Sequence, residues 1–355
     1  MKPTRTGEPR GFLRILGAPP RTIPALLAGL ALTTTSPLAQ TLNWDHDADG
    51  TPSDGGGTWN GANQWWDGSS SVNWTNASNA LIGSGGDGEW TIDLTGGVTV
   101  DGSVTFDNYE GEYRLSNDTL TVNGTLTWGP NTISNGGDKD GVEFQSSASL
   151  AGDGEIVVNG HYPAGKSEGQ FNIRTADVSG FTGTWNVQNG VLFTEGNFKP
   201  SATSNIILNG TAGATNGAVY SSRWGQTLTR DLGTGAGQIQ VIGNRSGFEG
   251  QGTNGLTVQL TDTGIGSQKV QWGSADFDPS VLLLQSPNAN INAAVNFDTE
   301  VDLNGADRTI EVDVDHGTTR VGGVNNGGAT LQDGRAQMSR SITNSSGTAA
   351  GLVKE

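Results

Sequence analysis

Cysteine is absent from the 355 residues. No disulfide framework can staple the fold, and thiol catalysis and cysteine-based metal sites are excluded. Positive charge is scarce: 19 Lys and Arg stand against 36 Asp and Glu, for a formal charge of −17. Such a chain repels phosphate backbones and anionic lipid, so no nucleic-acid partner is expected, while divalent cations are favoured. Only three histidines occur, His46, His161 and His316, none in a metal-ligand spacing such as H-E-x-x-H, and no G-x-S-x-G nucleophile turn exists. Long apolar runs are missing too. The longest, Ile23 to Leu32, is broken by Pro24 and Gly29, and it falls short of the roughly 20 apolar residues a membrane-spanning helix needs.

That short apolar core follows Lys2, Arg5, Arg10, Arg14 and Arg21 and precedes small residues, the order of a Sec-type secretion signal. We expect residues 1–39 to be removed by cleavage after Ala39. The loss of five basic residues and Glu8 would take the formal charge from −17 to −21. The expected address is extracellular, or the outer surface of a bacterial cell.

What is abundant is glycine, 56 residues, set between short alternating runs. Val98-Thr99-Val100, Val104-Thr105-Phe106, Leu120-Thr121-Val122 and Leu126-Thr127-Trp128 follow one another with Asn, Asp or Gly at the breaks. Period-two alternation broken by residues that tolerate positive φ predicts brief strands that turn repeatedly. No stretch beyond residue 40 shows helical periodicity free of glycine. The recurring apolar positions argue for an ordered, all-β stacked solenoid with uneven coils, not a disordered Gly-rich chain. Residues 40–95 differ from the rest: Trp44, Trp59, Trp65, Trp66, Trp74 and Trp90 are six of the ten tryptophans. A Trp/Gly-rich N-terminal cap over the open end of the first coil is expected there, with coils over 96–355. His161 to Gln170 reads as an outward loop.

Several landmarks come in a telling order. Leu232-Gly-Thr-Gly-Ala-Gly237-Gln238-Ile239, Gly247-Phe248, Leu256 to Leu260, Trp272-Gly273-Ser274 and Val301 to Ile310 follow the openings Asn43-Trp44-Asp45, Gly57-Thr58-Trp59 and Asn73-Trp74. In this order they resemble the autotransporter-associated β-strand repeat proteins. The resemblance implies a secreted or surface-displayed right-handed parallel β-helix, and it carries no catalytic residues to transfer. The last residues, Gly351 to Glu355, resemble the run-in to that family's Gly-Thr-Leu repeat. Either a fragment of a longer frame or a released protein is expected.

Asp45-His46-Asp47-Ala48-Asp49-Gly50 offers oxygen ligands at positions 1, 3 and 5 and a turn glycine at 6, a spacing that suits calcium. Gly56 stands where an EF-hand has its bidentate Glu, so a plain Asp/Gly turn is the simpler reading. Asp138-Lys139-Asp140-Gly141 is a weaker copy. Gly83 to Gly88 fits G-x-G-x-x-G, but a strand-like run follows where a dinucleotide fold needs a helix. Calcium is therefore the one cofactor to consider.

Glu311-Val312-Asp313-Val314-Asp315 places carboxylates on one face, with Asp298, Glu300, Asp302 and Asp307 nearby. A solvated outer face explains this more simply than a polysaccharide-cleaving groove. His161 is the best lone acid-base candidate. Trp65 and Trp66 would point to opposite faces of a strand, so one indole could stack on a sugar ring, although core burial comes first for an aromatic. The resemblance, together with the lack of a catalytic constellation, implies a structural or adhesin-like passenger without catalysis, for which a glycan or cell-surface partner is the expectation. The alternatives are a β-helix lyase or glycosidase and a calcium-dependent glycan-binding module.

Overall fold

The computed structural model describes residues 39–129, 140–160, 169–173, 175–212, 217–252, 254–286, 294–312 and 336–355. The expected signal segment to residue 38, the loop from His161 to residue 168, Asp138-Lys139, Asp313, Asp315 and His316 lie outside the described residues. Every regular element among the described residues is a β-strand; there is no helix. The strands form sheets of 23, 4 and 3 members.

One round of chain shows the plan. Thr119–Val122 turns at Asn123-Gly124 into Thr125–Trp128, and the chain then passes through Asp140–Phe144 to Ser149–Gly152. Ser149–Gly152 lies parallel beside Thr119–Val122, in register from Thr119↔Ser149 to Thr121↔Ala151. The next strand, Glu155–Asn159, pairs with Thr125–Trp128 in the same way. Successive rounds thus add one rung to each ladder. Hydrogen-bonded side chains on neighbouring rungs are separated by between 22 residues, for Asn123 and Asp101, and 43, for Ser345 and Asp302. The 4-stranded sheet runs Val98–Val100, Thr119–Val122, Ser149–Gly152, Asp177–Phe181. The two other ladders of each round merge into the 23-stranded sheet because Thr184–Glu195 and Gln238–Gln251 are long enough to span both.

Alternation decides which side chains enter the core. In Thr119–Val122 and Thr125–Trp128 the threonines are half-exposed and the apolar residues buried. In-register stacking then makes apolar files: Ile82, Phe106, Trp128, Val158 and Val187 are successive partners, all fully buried. Trp90, Tyr113, Val142, Phe171 and Leu192 make a second file. Each buried side chain of this size contributes roughly 1.5–3 kcal/mol relative to exposure, repeated at every rung.

The turns before Ser103–Phe106, Thr125–Trp128, Glu155–Asn159 and Thr184–Glu195 share a steric requirement. A Cβ on Gly124 would lie 1.8 Å from the carbonyl oxygen of Gly102, one on Gly154 would lie 2.0 Å from that of Gly124, and one on Gly183 1.9 Å from that of Gly154. These four glycines stack directly, and only hydrogen fits between them. Their recurrence reflects close approach, since no positive φ is involved.

The N-terminal segment departs from this pattern. Trp65–Trp66 pairs antiparallel with Thr41–Trp44 and with Ser71–Val72. Trp44, Trp59, Trp65 and Trp74 pack ring against ring behind it, with centroids 5.0 to 5.3 Å apart. Parallel stacking begins earlier than the boundary at residue 95 suggested: Thr41–Trp44 pairs parallel with Asn79–Ile82, and Asp87–Asp93 with Glu110–Ser116.

Candidate functional site

The acidic loop leaves the end of Thr41–Trp44 and is shaped by its own carboxylates. Asp45 Oδ2 accepts the Gly50 N–H at 3.0 Å, and Asp49 Oδ1 accepts the Thr51 N–H at 2.9 Å. Ala48 takes φ 59° and Gly50 φ 86° to close the turn. The result brings one carboxylate oxygen each from Asp45, Asp47 and Asp49 within 4.8 Å of one another. Asp47 and Asp49 are exposed, whereas Asp45 is wholly buried. Asp45 Oδ2 has a second donor, Ser71 Oγ at 3.3 Å, but buried Oδ1 has no hydrogen-bond partner. Desolvation pushes the Asp47 carboxyl up. Its hydrogen bond with Asp45, the charge of His46 and bonds from Asp49 and Ser53 outweigh that, and its pKa lies below 3.8.

The paired tryptophans divide as the alternation required, with a correction to their use. Trp65 is 0% exposed and donates Nε1–H to the Trp59 carbonyl at 2.9 Å. Enclosed by Trp44, Trp59 and Trp74, it has no face for a sugar. Trp66 is half-buried and lies along the acidic loop: a Cβ on Gly50 would sit 3.3 Å from its Cζ3.

Beyond the loop, Asp54 ties this segment to the following rungs. Its Oδ2 accepts from Ser84 N, Ser84 Oγ and Gly86 N at 2.9, 2.8 and 2.6 Å, and its Oδ1 accepts the Tyr113 hydroxyl at 2.5 Å. Burial, then the Asp54 charge and hydrogen bond, push the Tyr113 phenol far up.

Several carboxylates of the outer faces are engaged in ion pairs, most of them between rungs. Arg114 reaches Glu112 at 2.5 Å on its own strand, Glu89 at 2.7 Å on the rung before and Glu143 at 3.2 Å on the rung after. Burial alone would lower the Arg114 pKa, but the bond to Glu89 and the charges of Glu112, Glu89 and Glu143 raise it. Three carboxylates around one cation is the composition a polysaccharide lyase would need, yet this guanidinium is held by all three. An always-charged arginine so held is a poor proton acceptor. Glu311 pairs with Arg245 and Glu300 with Lys269.

A second surface site escaped the reading of the sequence. Trp224 is 56% exposed at a turn and holds φ 67°, a conformation that costs a non-glycine residue about 1–3 kcal/mol. The Arg223 guanidinium lies 5.2 Å from its ring centroid, a cation–π contact. On the preceding rung Phe198 is also exposed, and the Gly196 N–H bonds the Arg223 carbonyl at 3.1 Å, which joins the two turns. Nearby, Lys199, Tyr220, Thr227, Thr229 and Arg230 line a cavity of about 160 Å³. Arg230 is almost fully buried and donates to the carbonyls of Pro200, Ser201, Ala202 and Ser204. Burial lowers its pKa, opposed by the charge of Tyr220. Isolated arginines and one Trp at a turn carry no signal in sequence; only stacking groups them.

Among the described residues no helix is long and apolar enough to cross a membrane. The fold and sites define a class: an all-β chain of parallel, in-register sheets, with antiparallel strands and clustered tryptophans in its N-terminal segment. Compared with known proteins, the chain matches no family model, no curated protein and no solved structure.

Proposed function

We propose that this protein is a structural or adhesin-like passenger, a right-handed parallel β-helix that is secreted or displayed at a bacterial cell surface and has no catalytic activity of its own. The observation that carries this reading is the rung-by-rung register: one apolar file continues from Ile82 to Val241, and the turn glycines stack from Gly102 to Gly183. Such a chain is stabilised by nearest-neighbour rungs and presents a regular lateral surface. The order of landmarks shared with autotransporter-associated repeat proteins supports the handedness and the address. The ion-paired carboxylates around Arg114 support the absence of catalysis, because they link three rungs mechanically.

The test incubates the purified protein with acidic and neutral polysaccharides and scores new chain ends. No new ends on any glycan is the expected result. New ends lost on Glu112→Gln would replace the scaffold with the lyase or glycosidase alternative.

A second reading, glycan binding, is favoured by Trp224. An exposed indole in a strained turn, with the Arg223 guanidinium against its ring, offers a sugar ring a flat face beside a cation. Retention on an acidic glycan that disappears with Trp224→Ala is the expected outcome; retention unchanged by that substitution removes the reading.

A further inference from the structure

We propose that Asp45, Asp47 and Asp49 bind one calcium ion, and that the ion clasps the Trp-rich N-terminal segment to the first rung.

Three observations converge on this loop. The first is distance. Calcium holds its oxygens at about 2.3–2.6 Å, so two oxygens on opposite sides of the ion stand about 5 Å apart at most. The three carboxylate oxygens, all within 4.8 Å of one another, are close enough to share one such ion. The second is the buried Asp45 Oδ1, which has no hydrogen-bond partner although the residue is 0% exposed. For a carboxylate oxygen buried without a donor, a cation is the partner its chemistry calls for. The third is a further oxygen at the rim, the Ser53 hydroxyl, 3.3 Å from Asp47 Oδ1.

The consequence follows from what the loop touches. The Asp45 N–H bonds the Gln64 carbonyl at 3.1 Å, Gln64 Nε2 donates to the His46 carbonyl at 2.8 Å, and Ser71 Oγ bonds Asp45 Oδ2. An ion at Asp45 therefore fixes the end of Thr41–Trp44 against both antiparallel strands that follow. The four-tryptophan cluster sits directly behind them. Without the ion, repulsion among three carboxylates opens the segment that closes the sheet edge.

Terbium, a calcium surrogate excited through nearby indoles, tests this directly. Trp66 against Gly50 supplies the antenna. We expect saturable terbium emission from the purified full chain, displaced by calcium at concentrations at least 10-fold below those of magnesium. We also expect the tryptophan-reported unfolding midpoint to rise by about 3 to 6 °C at 100-fold calcium excess over Kd. Asp47→Asn with Asp49→Asn, both at exposed positions, should abolish the emission and the rise while leaving the circular dichroism unchanged. Asp153→Asn, an exposed carboxylate elsewhere, should change neither. Absence of emission at millimolar terbium, or emission undiminished in the double variant, overturns the site. Neither result bears on the passenger reading, which fails only on the polysaccharide assay.

Discussion

Asp54 is the residue whose removal should loosen the N-terminal segment most. Asp54→Ala deletes four hydrogen bonds at 2.5 to 2.9 Å, two from Ser84 and one each from Gly86 and Tyr113. Bonds to a charged acceptor contribute about 1.5–3 kcal/mol each when sheltered and little when water can replace the partner. Ser84 is exposed, so its two bonds count for little, while the Gly86 N–H and Tyr113 hydroxyl are part-buried. The expected loss is about 3–5 kcal/mol for Asp54→Ala. Asp54→Asn keeps an acceptor oxygen, and about 1–2 kcal/mol is expected. Urea unfolding followed by tryptophan fluorescence reads this segment, since Trp44, Trp59, Trp65 and Trp74 lie within it. A double-mutant cycle with Tyr113→Phe should show coupling of about 1–2 kcal/mol. If Asp54→Ala costs less than about 1 kcal/mol, or if the pair is additive, the carboxylate does not tie the segment to the rungs.

Gly124→Ala should destabilise by about 2–3 kcal/mol in denaturant unfolding, since its Cβ would meet a carbonyl oxygen at 1.8 Å; a neutral result would mean the glycines do not stack. Trp224→Gly should stabilise the fold by about 1 kcal/mol by relieving φ 67°, and destabilisation would show that the ring has a structural role. Burial pushes the Asp302 carboxyl up, but bonds from Ser345 and Asn304 and the Lys269 charge bring it below 3.8. A depressed carboxylate pKa stabilises above the unfolded value and that stability is lost as pH falls through the folded value. Protection of the Ser345 amide against hydrogen exchange should therefore fall as pH drops below about 3.8, and Asp302→Asn should flatten that acid limb. On the proposed secretion route, the mature protein should begin at Gln40 by N-terminal sequencing; retention of Arg21 would argue against it.

The strands were legible where alternation was clean. Leu120-Thr121-Val122 and Leu126-Thr127-Trp128 bury every apolar residue and half-expose every threonine. The parallel pairing behind them was not, because the partner of Leu126 is Ile156 and no local pattern names a residue so distant. The same distance hid the stack of Gly102, Gly124, Gly154 and Gly183, which read only as turns. Asp45, Asp47 and Asp49 were visible from spacing, but the orphaned Oδ1 depends on burial under strands that follow it. Trp65 and Trp66 could be assigned to opposite faces, whereas register alone decides that Trp65 faces the cluster. Trp224 gave no signal, since its significance lies in a backbone angle and a neighbouring rung.

The central claim is that separate ladders grow by parallel, in-register rungs, and a chain without cysteine allows it to be tested cleanly. Thr105 is the partner of Thr127 in one sheet, and Thr99 is the partner of Thr121 in another. Paired cysteines at Thr105 with Thr127, and at Thr99 with Thr121, should join efficiently through a short thiol cross-linker. The exchanged pairs, Thr105 with Thr121 and Thr99 with Thr127, should not. Equal cross-linking of the exchanged pairs, or none in the matched ones, would contradict the stack on which the account rests.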